Sequence, residues 1–279
     1  MRQIITAKRQ GFWDLRAAGN FIGGGTGAGL LMVSAVAALT GRDATIPLAA
    51  GLCCVMVGLS LVWLEIGKPW RALNVFFHPQ TSWMTREGIV AGPLAASVAA
   101  YVAFGPMALP PVIFGLSAGF LYCQARILKA SRGIPAWKQP EIMPFIIATG
   151  LAEGAGAYLV LGEASTVWIA IALAAALARE TAWRAYRRGL VRGKAPAGTL
   201  ECLDSPAART LRAAQLAGLV LILTALVVPI PLAALGGSLA MASGWGIKIL
   251  LVTKAAFTRG PVIRQTPVRG RGVSRAVEA

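Results

Sequence analysis

Eight long apolar runs, each near the ~20 residues that a helix needs to cross a bilayer, divide this chain of 279 residues, and positive charge fills every second gap between them. That alternation leaves few folds open. Only 14% of the residues are charged, against ~25% in soluble domains. A membrane β-barrel reads as ~10-residue segments of alternating polarity rather than continuous apolar runs. The expected fold is therefore an all-α integral membrane protein, an eight-transmembrane-helix bundle. The predicted spans are roughly 19–40, 46–65, 88–105, 111–129, 142–161, 164–183, 211–231 and 233–253. They make one domain over 1–258, followed by a basic Gly/Pro/Arg-rich tail over 259–279.

The charge pattern sets an orientation. Of 27 Lys and Arg residues, four lie in 1–17, three in 65–87, four in 126–141, eight in 179–212 and six from 254 onward. The remaining two are Lys248, inside the last span, and Arg42, which shares the opposite loops with Asp43 and Glu163. Lys and Arg are retained in cytoplasmic loops, so both termini are expected in the cytoplasm, with the chain in a bacterial inner membrane. The net charge of +16 is topogenic in this reading, and no nucleic-acid motif accompanies it. A cleavable signal peptide is disfavoured by the long basic lead and by a Gly-rich first span.

Some chemistry is excluded by composition. The four cysteines, Cys53, Cys54, Cys123 and Cys202, form no CxxC pair and suggest no zinc or iron–sulfur site. A single histidine, His78, cannot supply the two axial ligands of a b-type haem. With no Ser/His/Asp set, paired carboxylates or metal cluster, no catalytic or metal-binding residue is expected in this chain.

What remains is polar chemistry at membrane depth, where ionisable groups are read first as functional. Glu153 and Lys248 are each predicted within a span. They read either as a proton path or quinone contact, or as a structural pair. Arg126 ends the fourth span, where snorkelling accounts for it equally well. A second set gathers at one level on the basic side: Asn20, Glu65, Lys68, Arg71, His78, Trp83, Arg86, Tyr122, Gln124 and Arg126. An apolar molecule with a polar head, such as a quinone, fits a pocket of that kind. The run Gly23 to Gly29 reads as a helix-packing surface.

Three segments, Phe12 to Leu31, Leu64 to Gly88 and Phe120 to Gly156, resemble membrane subunits of the NrfD/PsrC/DmsC type. The most specific element is Gly67, Lys68, Pro69 and Arg71 followed by Ser82, Trp83 and Arg86. Within that family the resemblance is greatest to membrane subunits of phenylacetyl-CoA:acceptor oxidoreductase-like complexes. It implies a quinone-reactive anchor, with ubiquinone or menaquinone in this chain. It further implies a four-cluster ferredoxin-like iron–sulfur subunit and a Mo/W bis-pterin catalytic subunit as partners, and no haem here. Asn20 and Tyr122 match the family's quinone-contacting Asn and Tyr. The family's first-span His is absent, which leaves His78, Glu65 or Arg71 as replacements. Because the 65–87 loop lies on the basic side, the partner module is expected to face the cytoplasm. The rival class is a polytopic transporter with Glu153 and Lys248 on its path.

Overall fold

A computed structural model describes residues 7–65, 69–131, 133–228 and 231–258, without the side chains of residues 65 and 69–72. The predicted tail 259–279 lies outside the described residues, as do Gly67 and Lys68. Among the described residues there is no strand, and eight helices are long and apolar enough to cross a membrane. They are α1 (Leu15–Leu39), α2 (Thr45–Glu65), α3 (Trp83–Phe104), α4 (Leu109–Ala130), α6 (Ile142–Leu161), α7 (Thr166–Arg192), α9 (Pro206–Thr224) and α10 (Pro231–Ile249). Two short helices, α5 (Pro135–Lys138) and α8 (Ala197–Leu203), and a 3-10 segment (Pro69–Phe77) lie in the connections.

Helices α1 and α6 form the centre, joined by α4 and α10, while α2, α3, α7 and α9 pack around them. Between lipid-embedded helices, close backbone packing replaces the hydrophobic effect as the driving force. The predicted packing role of the Gly23 to Gly29 run is realised. A Cβ on Gly29 would strike the backbone of Gly150 on α6, and one on Gly23 would fall 2.5 Å from Cys54 O on α2. On the other face of α6, a Cβ on Gly156 would lie 2.6 Å from Gly237 O on α10. These contacts bring four backbones together, those of α1, α2, α6 and α10, and set the distance across which central side chains meet.

Several boundaries differ from the expected ones. Ser82 caps α3, its Oγ accepting from Thr85 N at 3.2 Å, so that helix starts at Trp83 rather than near 88. Helix α7 runs to Arg192, well past the predicted 183. Its last turns carry Arg184, Arg187, Arg188 and Arg192 and are held by ion pairs of Arg187 with Asp204 and Arg192 with Glu141. The stretch between the predicted spans 164–183 and 211–231 contains the end of α7, all of α8 and the start of α9. Ser205 caps α9 at Ala208 N, and Pro206 suits its first position. Arg179, counted with the basic loop in the charge tally, is instead buried inside the bundle.

Helix α10 passes into a π-helical turn over Leu250–Lys254. Such turns misalign backbone carbonyls, and two of these are taken up from outside. Trp137 Nε1 donates to Leu251 O (3.2 Å) and Gln10 Nε2 to Val252 O (3.0 Å). Trp137 is buried, and it stacks on Trp13 with centroids 4.7 Å apart. Gln10 N donates to Ala256 O and Thr258 N to Lys8 O, both at 2.8 Å, so the two ends of the described chain meet on one side of the bundle. An even number of spans requires this.

Candidate functional site

The polar residues fall into three groups, two inside the bundle and one on its flank. At mid-depth, Glu153 lies eleven residues after the start of α6, about 16 Å along the helix at 1.5 Å per residue. Its Oε2 accepts from Lys248 Nζ at 2.6 Å and from Thr26 Oγ1 at 2.8 Å. Lys248 Nζ also donates to Phe21 O (2.8 Å), and Trp245 Nε1 donates to Thr26 Oγ1 (2.9 Å). Both charged side chains are sealed, at 1% and 0% exposure. The structural pair foreseen for these residues is thus present. Arg179 joins from α7, donating through Nη1 to Ala240 O (2.8 Å) and Ser243 Oγ (3.1 Å). The Oε1 atom of Glu153 and the Nε of Arg179 are buried without a protein partner.

Nearer the basic side, Asn20, Gln124 and Glu87 converge from α1, α4 and α3, all buried. Gln124 Nε2 donates to Asn20 O at 3.0 Å. The side chains of Gln124 and Asn20 both bear on the Glu87 carboxyl. Asn20 Oδ1, Gln124 Oε1 and Glu87 Oε1 are buried with no protein partner, an unusual concentration of open hydrogen-bonding capacity.

Glu87 also lines an apolar cavity of about 330 Å³ between α2, the 3-10 segment and α3, with Met56, Trp63, Phe76, Met84 and Gly88 among its walls. Gly88 permits this fit, since a Cβ there would press on Phe76 at 3.2 Å. Val62 and Met84 are shared with a smaller cavity of about 50 Å³ that reaches Asn20, Phe21 and Trp13. The rim residues Trp63, Met56 and Phe76 are exposed on the outer surface of the bundle.

The third group does not reach the cavity. The guanidinium carbons of Arg86 and Arg126 lie 4.0 and 4.5 Å from the Trp83 ring centroid, and Tyr122 meets that ring edge-on at 5.7 Å. Arg86 donates from Nε to Pro79 O (2.7 Å) and from Nη2 to Gln80 O (2.9 Å), which shapes the turn before α3. His78 is exposed in the same turn, where its carbonyl accepts from Ser82 N. The predicted basic-side cluster therefore divides. Asn20 and Gln124 point inward, whereas Trp83, Arg86, Tyr122, Arg126 and His78 form the flank. Lys68 and the side chains of Glu65 and Arg71 lie outside the described residues.

Sequence reasoning missed Glu87. A third span beginning at 88 leaves this residue in the preceding loop. The signal was available: Ser82 is a helix cap, and from that start Glu87 falls in register with Ala91, Leu94 and Val98, the buried stripe of α3. Arg179 falls inside the predicted span 164–183, but counting it with the basic residues of 179–212 hides it as a buried charge.

The fold and these two buried centres define a polytopic α-helical membrane protein with a polar interior and a side cavity on its basic half. No protein-family model matches the chain, and no curated protein matches it.

Proposed function

We propose that this chain is the quinone-reactive membrane anchor of a multi-subunit Mo/W bis-pterin oxidoreductase, lying in a bacterial inner membrane with its basic face to the cytoplasm. One observation carries the reading. A buried carboxyl, Glu87, sits in the wall of an apolar cavity of about 330 Å³, with the Asn20 and Gln124 side chains against it. An isoprenoid quinone needs an apolar slot for its ring and tail, a hydrogen-bond donor for its carbonyl and a group that exchanges a proton. The cavity supplies the apolar walls, Asn20 the donor and Glu87 the proton group. In this reading Glu87 takes the place considered for Glu65, Arg71 or His78, and Tyr122 holds the flank rather than the quinone.

Electrons would come from an iron–sulfur partner docked on the basic face, where Arg188 and Arg192 are presented beyond the apolar part of α7. This chain contributes binding, orientation and proton exchange. The resemblance of Leu64 to Gly88 supports the same class. The transporter reading rests on Glu153 and Lys248 alone.

The test is purification of the chain from its native membrane together with a quinone-binding assay. Iron–sulfur and pterin subunits should co-purify. A soluble ubiquinone or menaquinone analogue should quench tryptophan fluorescence, with affinity reduced about tenfold, or ~1.4 kcal/mol, in Glu87→Gln and Asn20→Leu. A chain that copurifies with neither subunit and binds neither analogue is not such an anchor.

A further inference from the structure

Of the ten buried side-chain polar atoms without a protein partner among the described residues, five lie between the basic-side cavity and the bundle centre. Glu87 Oε1, Asn20 Oδ1, Gln124 Oε1, Glu153 Oε1 and Arg179 Nε come from five different helices. They fall in order from the basic-side cavity to the bundle centre. Glu87 lies in the second turn of α3, about 6 Å from its basic end, whereas Glu153 lies about 16 Å from that end of α6.

The two centres approach one another across the backbone of Gly24 and Gly25. A Cβ on Gly24 would occupy the space of Gln124 Nε2, and one on Gly25 would occupy that of Lys248 Nζ. Gln124 Oε1 lies 3.7 Å from that same Gly25 position, with Lys248 Nζ nearer still. An acceptor with free capacity and a buried ammonium therefore flank one residue, at a separation that one or two water molecules span. Buried polar groups without protein partners are the sites at which internal water binds.

We infer that Glu87, Asn20, Gln124, Lys248 and Glu153 form a hydrated proton half-channel. It opens at the basic-side cavity and ends at the mid-membrane Lys248–Glu153 pair. Glu87 is its mouth: its carboxylate accepts a proton from cavity water and passes it inward. Gln124 orients the linking water between Glu87 and Lys248. The pair is the terminus, where Arg179 on α7 and Thr26 on α1 also face Glu153, and Cys123 on α4 faces Glu87. The step moves protons only, each leaving one oxygen or nitrogen as the next accepts it. Its consequence is electrical, because a proton that reaches Glu153 has crossed part of the membrane. The half-channel exists whether or not quinone binds; serving a quinone at Glu87 is its use under the function proposed above.

The test follows the inner pair in the complete chain, held in lipid nanodiscs without quinone. Infrared bands of the pair, assigned with the Glu153→Gln/Lys248→Met variant, are recorded after a rapid pH jump. The wild type should show a pH-dependent band. Its rate should fall more than about tenfold in Glu87→Gln and in Gln124→Leu, neither of which disturbs the ion pair. Absence of a pH-dependent band in the wild type, or rates unchanged in both variants, would overturn the half-channel. Loss of quinone binding with these kinetics intact would instead remove only the quinone reading.

Discussion

Lys248 and Glu153 meet at 2.6 Å between α10 and α6, with 1% and 0% of their side chains exposed. Two ions in such a place depend on one another. Removing one partner of a buried pair typically costs ~3–5 kcal/mol, whereas replacing both with apolar groups is often neutral. Glu153→Leu and Lys248→Met alone should each sharply lower the thermal midpoint in detergent, and the double variant should recover most of the loss. A double variant as unstable as either single one would show that the pair's partners, not the pair, hold the centre.

The contact of Gly156 with Gly237 leaves no room for a side chain on α6. Overpacking a tight core commonly costs ~1–3 kcal/mol, occasionally more, and here a rigid backbone must give way. Gly156→Leu should destabilise the protein strongly, while Gly115→Leu, which meets nothing within 4 Å, should be neutral. Similar unfolding temperatures for the two would contradict the central packing described above.

Arg86 ties the turn before α3 to the helix through two carbonyls, Pro79 O and Gln80 O. Bonds from a charged donor contribute ~1.5–3 kcal/mol. Arg86→Gln should therefore loosen this turn locally. Faster limited proteolysis between residues 78 and 82 is the expected result, and an unchanged cleavage rate would deny Arg86 that role.

Sidedness can be read with introduced cysteines in a background lacking the four native ones. Arg188, exposed near the end of α7, and Glu163, paired with Arg42 at 3.0 Å on the far side, should be labelled from opposite sides. In intact cells, an impermeant maleimide should reach Glu163→Cys and not Arg188→Cys. The reverse pattern would invert the proposed orientation.

At the start of α1, the Arg16 side chain and backbone N–H hold the Asp14 carboxyl below the usual range. A lowered folded-state pKa means the cap contributes above the ordinary carboxylate value and fades as pH falls through the lowered one. Protection factors at residues 15–18, with the intrinsic pH dependence of amide exchange divided out, should thus be flat between about pH 5 and 8 and fall only below about pH 4. In Asp14→Asn this acid step should vanish, and a step that persists would assign it to another group.

Much of the architecture was legible because a membrane imposes one-dimensional rules. Span number, the even count and the shared side of the two ends follow from run length and connectivity. The Glu153–Lys248 pair was also readable as a structural possibility, since a buried charge needs a partner. The site was less legible. Trp83, Arg86, Tyr122 and Arg126 share a depth with Asn20 and Gln124, but depth says nothing of which way a helix faces. Glu87 was hidden by a helix start that Ser82 sets before the apolar run, and Arg179 by its kinship with the basic residues that follow it on α7.

By itself, the sequence determined that the chain is an eight-span helical membrane protein with an asymmetric distribution of basic charge. These properties depend on run length and on charge summed along the chain. Tertiary structure alone decided that Glu87 joins Asn20 and Gln124 beside a cavity, and that Lys248 reaches Glu153 past Gly25. Both depend on the rotation of each helix about its axis and on close backbone contacts such as Gly156 with Gly237. Those are set by packing between segments far apart in the chain, which no local pattern encodes.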